Sequence, residues 1–260
     1  MKYLLNLAGL LLILLFILGC KKEVSTTSDN TTNLQQEDTL AYNIERLLRV
    51  EEGCQGDTCA RVEINYVTLD AKETDTTAQK INQSILENLR GGDYTNVVAY
   101  ANGFLREYAK DKAEIPDMPA WNEERNQQVI NNTGNVLCVK TTFYSYTGGA
   151  HGLYGTTYNN FDPQTGNTIT KADVFVPAQE EALLEVAEDF FRKEMAIASS
   201  ESLNQAGYDF EDNIFYLPDN FGLLEDRVIF TYGLYEIASY VQGEQEFSIP
   251  YSALGNLVKL

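Results

Sequence analysis

The residues that most limit what this chain can fold into are the first twenty. Leu4 to Leu18 is an almost unbroken aliphatic run with Phe16 inside it, opened by the charge on Lys2 and closed by Gly19-Cys20. A short charged start, an apolar stretch and a small residue form the pattern of a secretory leader. The run is about fifteen residues, short of the ~20 that a spanning helix needs. Nothing later in the sequence is as apolar, so about 240 residues remain to fold outside the membrane, enough for one large or two small cores.

The segment after the leader, "KKEVSTTSDNTTNLQQEDTL", is nearly free of apolar residues and reads as a tether. Twenty such residues reach roughly 25 Å as a coil. The full chain holds 19 Lys plus Arg against 38 Asp plus Glu. Removal of a leader would take away Lys2 alone, leaving 18 against 38, a formal charge of −20. That excludes nucleic acid, whose binders carry basic patches, and favours cationic partners.

Periodicity supplies the elements. In "ARVEINYVTL", Val62, Ile64 and Tyr66 alternate with Arg61, Glu63 and Asn65, as in a half-buried strand. Ala78, Ile81, Ile85 and Leu89 lie on one helical face, and Gly91-Gly92 offers a left-handed stop. A second helix is predicted from an Asp93 cap, with Val97, Ala101, Phe104 and Tyr108 as its stripe and Pro116 and Pro119 at its exit. Strands are expected over 127–132, 135–146 and 152–161, with a turn at "DPQTGN". Pro177 opens a long helix with Leu184, Ala187, Phe191 and Met195 buried, and the last fifty residues are aromatic strand material. This order predicts an α+β fold of antiparallel sheets with helices on one face, in two consecutive subdomains.

The four cysteines take three roles. Cys54 and Cys59 stand five apart, a spacing a tight loop can close as a disulfide in an oxidising compartment. Cys138 sits in an apolar strand and is expected as a buried thiol. Cys20 follows the leader.

The chemistry is sparse. His151, in "GGAHG", is the only histidine. No G-x-S-x-G elbow accompanies it, one histidine does not make a zinc site, and "GGAHG" lacks the strand-to-helix context of a dinucleotide loop. A structural role for His151 is therefore expected, its ring bonded to backbone where Gly148, Gly149 and Gly152 bend the chain. Glu51-Glu52, Glu123-Glu124 and Asp162 are carboxylate candidates, expected as solvated surface. No catalytic residue, cofactor or metal is assigned.

Two resemblances add to this reading. "ILGC" resembles the lipobox of bacterial lipoproteins, which implies cleavage before Cys20 and diacylation of its thiol, a membrane link through that lipid only. "YSYTGGAHGLYGTTYNNFDPQTGNTITKADVF", followed by a helix and "VIFTYGLYEIASYVQGEQEFSIPYSAL", resembles the C-terminal extracytoplasmic domain of RsiV-type anti-sigma factors. The part before it, with Cys54 and Cys59, resembles the PdaC-like domain that often precedes that one. Ser239 departs from the family pattern, where proline is expected. The resemblance implies a leader over 1–19, a linker over 20–44, a PdaC-like domain over 45–147 and an RsiV-like domain over 148–260. Gly148, Gly149, His151, Tyr154 and Asp162 become motif positions and candidate ligand contacts. In those factors the region binds lysozyme, a basic protein. This sequence shows neither their sigma-binding segment nor their spanning helix, so an anti-sigma role is not expected. The expectation is a non-enzymatic, lipid-anchored module of the bacterial envelope, at the outer membrane, for a lysozyme-like protein or a cell-wall glycan. A hydrolase of envelope polymer is the alternative.

Overall fold

The computed structural model describes residues 40–56, 58–90 and 94–259. The leader, Cys20, most of the tether, the Gly91-Gly92 stop and the Asp93 cap lie outside the described residues.

Two strands, β1 (Tyr42–Val50) and β2 (Arg61–Leu69), form an antiparallel hairpin from Tyr42↔Leu69 to Val50↔Arg61. The loop between them is closed by the Cys54–Cys59 disulfide, with 5.8 Å between the Cα atoms. Val62 and Ile64 are buried as their alternation predicts, but the phase then slips, and Val67 and Leu69 are buried instead of Tyr66. The reason lies in the neighbour strand, β3 (Asn122–Asn132), which pairs with β2 only as far as Asn65↔Asn126. Beyond that point the buried Gln127 side chain accepts from the Val67 N–H at 3.1 Å, and Val67 and Leu69 pack in one cluster with Ala78, Ile81 and Ile85.

The first helix, α1 (Thr76–Arg90), buries Ala78, Ile81, Ile85 and Leu89, the predicted stripe. Its start is held by Asp75, which accepts from the Ala78 N–H at 3.0 Å. In α2 (Val97–Glu114) the capping side chain is Asn96, accepting from Ala99 N–H at 2.8 Å. Val97, Ala101 and Tyr108 are buried, and Phe104 packs edge-on to Trp121 at 5.5 Å. Because the two helices carry the chain across one face and back, β2 and β3 run parallel. This one pair departs from the antiparallel pattern expected.

The sheet continues with β4 (Leu137–Tyr146) and β5 (Leu153–Phe161), in the spatial order β1-β2-β3-β4-β5. β3 begins earlier than its apolar residues suggested, since its first half carries Glu123, Arg125 and Gln127 inward. β4 and β5 pair from Leu137↔Phe161 to Ser145↔Leu153. The stretch at 147/148, expected to join two subdomains, is thus the turn of a hairpin within one sheet.

The second half folds as a short turn of helix, α3 (Lys171–Val174), then α4 (Glu180–Glu194), which Pro177 opens, and a three-stranded antiparallel sheet. Its strands are β6 (Phe221–Leu223), β7 (Arg227–Tyr232) and β8 (Gln245–Pro250), followed by α5 (Tyr251–Leu254). On α4 the buried residues are Leu183, Ala187 and Phe191, while Leu184 and Met195 are half-buried. Phe191 meets Tyr208, Phe210, Phe215, Tyr232 and Phe247 at 5.3–5.7 Å between ring centres. These are mostly the edge-to-face contacts that aromatic quadrupoles favour.

Strand alternation makes β4 serve both halves. Leu137 and Val139 face α1, while Cys138 and, from β5, Tyr158 face α4 and the second sheet. Burial pushes the Cys138 thiol up to about 12 and keeps it inert. Amides stitch the layers. Asn160, buried on β5, donates to Phe221 C=O at 2.8 Å and accepts from Leu223 N–H at 2.9 Å. Asn131 of β3 donates to Leu223 C=O at 2.9 Å. Asn160→Ala strands one buried donor and one acceptor on β6, so urea unfolding should show a loss of about 2–4 kcal/mol. A change below ~0.5 kcal/mol would refute this role.

Candidate functional site

The GGAHG loop closes the β4–β5 hairpin. Gly148 and Gly149 have φ of +102° and +90°, the region where side chains are disfavoured, and the Tyr146 hydroxyl donates to Gly149 C=O at 3.1 Å. Gly152 is required for another reason, because the Tyr144 ring lies where its Cβ would stand, at 2.6 Å. The Gly152 carbonyl accepts from the Tyr240 hydroxyl at 2.7 Å and lies 3.1 Å from Nδ1 of His151. The imidazole itself stacks on the Tyr240 ring, 3.8 Å between centres and 23° between planes. His151 is exposed, with Nδ1 against a backbone carbonyl and its ring on a tyrosine face.

Tyr240 belongs to "YEIASY", residues 235–240. Tyr154 and Tyr235 both lie 5.8 Å from it, and Tyr235 is 60% exposed with φ of +65°. Burial and the nearby Tyr154, Tyr144 and Tyr235 push the Tyr240 phenol above its ordinary range. Ser239, where proline was expected, has φ of −69°, a value proline itself would adopt. Its N–H and hydroxyl both donate to Gln242 Oε1, at 3.2 and 3.0 Å, so the turn keeps its shape by capping.

Beside these rings the sheet face is open and polar. Register places Glu63, Glu124, Tyr144 and Tyr154 in one row across four strands. Asn65, Asn126, Thr142 and Thr156 form the next row. A cleft of about 310 Å³ lies over the first three members of both rows. Glu63 is held by Arg46 at 2.9 Å, and Glu124 accepts from Asn122 at 3.0 Å. The face therefore offers carboxylate, amide and hydroxyl groups together with tyrosine rings.

The paired carboxylates separate. Glu123 points to the opposite face, buried, where it accepts from Arg125 Nε at 2.6 Å and from the Tyr100 hydroxyl at 2.7 Å. The Arg125 guanidinium lies 4.9 Å over the Tyr100 ring, and burial drives that phenol well above its ordinary range. Adjacent strand residues face opposite ways, so Glu123 and Glu124 do not act together. Glu51 is tied to Lys112 at 2.7 Å, which holds its carboxyl below the usual range, while Glu52 faces solvent. Asp162 is a turn residue. It accepts from Gln164 N–H at 2.8 Å and from the Thr165 hydroxyl at 2.7 Å, and these bonds hold its carboxyl low. The length of β5, about 30 Å, separates it from His151. Among the described residues no group of three or more His, Cys, Asp or Glu is placed to hold a metal.

A tyrosine-rimmed open sheet face on a two-sheet α+β body is thus the site the fold defines. Residues 54–154 match the family model described as Deacetylase PdaC, and residues 172–252 match that of a Protein of unknown function (DUF3298). PdaC-like and DUF3298 domains therefore stand in tandem in this chain. A member of the DUF3298 family from Bacteroides fragilis superposes with a TM-score of 0.74 at 20% identity, covering 87% of this chain and 96% of its own. A DUF3298 family protein from Pseudomonas aeruginosa gives 0.65 at 24% identity, over 85% and 95%. At such identities these likenesses establish the fold. No curated protein matches the chain. GGAH lies in the first matched segment and YEIASY in the second, so the His151–Tyr240 stack joins the two.

Sequence reading missed Asn65, Asn126, Thr142, Tyr144, Tyr235 and Tyr240 as one surface. Cross-strand register puts the first four side by side, and the turn that carries Tyr235 and Tyr240 reaches them from a distant part of the chain.

His151→Ala removes the stack and should cost about 1 kcal/mol, read as a lower Tm with the open face intact; an unchanged Tm would contradict the structural role. The Asp162 carboxyl titrates lower folded than unfolded, so its contribution is full above the unfolded value of about 3.9 and is lost as pH falls through the folded value. Asp162→Ala should therefore lower Tm at pH 7, and the gap to the wild type should close under acid. A pH-independent gap would show that the carboxylate charge contributes nothing.

Proposed function

We propose that this chain is a lipid-anchored binding module of the bacterial envelope, without catalysis of its own, which takes cell-wall glycan on its open sheet face. One observation carries the reading. Two cross-strand rows place carboxylate and amide side chains beside tyrosine rings, over a cleft of about 310 Å³. Sugars present hydroxyls that amides and carboxylates hydrogen-bond, and apolar ring faces that aromatic side chains cover. The lipobox-like "ILGC" supports attachment through Cys20 at the outer membrane. Among the described residues no helix is long and apolar enough to cross a membrane.

A second reading, a lysozyme-like partner, draws on the resemblance to RsiV-type factors and on the formal charge of −19. In a hydrolase, the alternative, Glu63 and Glu124 would be the carboxylates on this face. Calorimetric titration with soluble peptidoglycan fragments should give saturable binding that Tyr144→Ala and Asn126→Ala each weaken about tenfold, the worth of one stacking or hydrogen-bonding contact. No heat of binding at any fragment concentration would overturn the glycan reading, and release of cleaved product would decide for the hydrolase.

A further inference from the structure

Far along the chain from the GGAHG loop, α4 and the segment 213–217 enclose a second feature. A crevice of about 290 Å³ is lined mainly by apolar groups, among them Phe175, Pro177, Leu183, Leu184 and Leu217, with Lys171 also in its wall, its charge already paired with Asp219 at 2.7 Å. It shares Glu180 and Leu184 with an adjoining depression walled by Glu181, Glu185 and Glu188 on one side and Ile214 on the other. Ile214 is 67% exposed and Tyr216 39%, large apolar surface left in water.

The local backbone holds Ile214 there. Asp212 and Asn213 both adopt positive φ, 52° and 59°, immediately before it. Asp and Asn are the non-glycine residues that tolerate that region best, so the pair makes a tight turn that leaves Ile214 facing solvent. Here the Asn213 side chain accepts from Asn204 N–H at 3.0 Å, while the Tyr216 hydroxyl donates to Glu236 at 3.2 Å and its carbonyl accepts from Tyr232.

The opposite wall is a ladder of like charge. Glu181, Glu185 and Glu188 follow each other at helical spacing, which is unfavourable for an isolated helix. Glu188 is relieved by Arg192 at 2.7 Å. Among the described residues no ion pair reaches Glu180, Glu181 or Glu185. Glu180 and Glu181 gain from the helix N-terminus, but Glu185 lies a turn beyond it. An apolar floor with one wall of uncompensated carboxylates complements one chemistry, apolar side chains flanked by cations.

We propose that this crevice docks a basic amphipathic segment of a partner protein. Its apolar residues enter between Leu184 and Ile214, and its Lys or Arg side chains pair with Glu181 and Glu185. This is the helix-in-groove mode of recognition with electrostatic steering added. The proposal sharpens the cationic-partner reading and is independent of the glycan face.

The test is fluorescence anisotropy of a labelled amphipathic Leu/Lys peptide titrated with the full chain. Saturable binding is expected, weakened about tenfold at low salt by Glu181→Gln with Glu185→Gln, a loss that shrinks as salt screens the charges. Ile214→Ser should weaken it about tenfold at every salt concentration. Glu107→Gln with Glu114→Gln on α2 removes the same charge elsewhere and should bind like the wild type. Equal weakening by that control pair, or wild-type binding by the Ile214→Ser variant, would show unspecific attraction to an acidic protein and overturn the proposal. Far-UV circular dichroism confirms that each variant is folded. Failure here leaves the glycan titration unaffected.

Discussion

The two sheets of this protein meet where a short strand has nothing of its own kind to pair with on one side. β6 is three residues long and buried, and a buried strand edge without partners costs several kcal/mol in orphaned N–H and C=O groups. Asn160 answers it with one amide, giving a donor to Phe221 and an acceptor to Leu223, and Asn131 satisfies the remaining carbonyl of Leu223. Asn220 does the same in the reverse direction, bonding the backbone of Thr156 and Tyr158 at 2.7 and 3.0 Å. These amides fix the second sheet against β5 at one register, and the aromatic core around Phe191 closes beneath it.

From that register follows what stays open. The second sheet covers the Cys138–Tyr158 part of the face and leaves the other part, with Asn65, Asn126, Thr142 and Tyr144, in contact with solvent. The same docking brings the turn at 239–242 over the GGAHG loop, so that Tyr240 reaches both His151 and the Gly152 carbonyl. The lone histidine thus works as a clasp between two motifs almost ninety positions apart.

The acidity of the chain is spent unevenly. Some carboxylates are structural, as with Glu123 under Arg125, Glu51 on Lys112 and Asp162 in its turn. Others, Glu181 and Glu185 on α4, have no ion-pair partner among the described residues and stand beside the exposed Ile214. An excess of charge alone speaks only for solubility and steering; its placement next to Ile214 and Leu184 is what gives it a direction.

What the sequence determined by itself was everything local. The stripes of α1 and α2, the Cys54–Cys59 loop, the "DPQTG" turn with Gly166 at φ of +68°, and the Pro177 start of α4 each depend on residues within a few positions of one another. Their physics is complete in a short window. The tertiary structure decided whatever depends on a distant partner. The phase slip in β2 exists because β3 stops pairing at Asn65, and the parallel β2–β3 pair exists because two helices return the chain to the same side. Glu123 and Glu124 look alike in the sequence, yet one meets Arg125 and Tyr100 while the other faces solvent. His151 became a stacked residue, and Tyr144 part of a surface, only when strand register and Asn160 set which groups, far apart in the chain, lie within van der Waals reach.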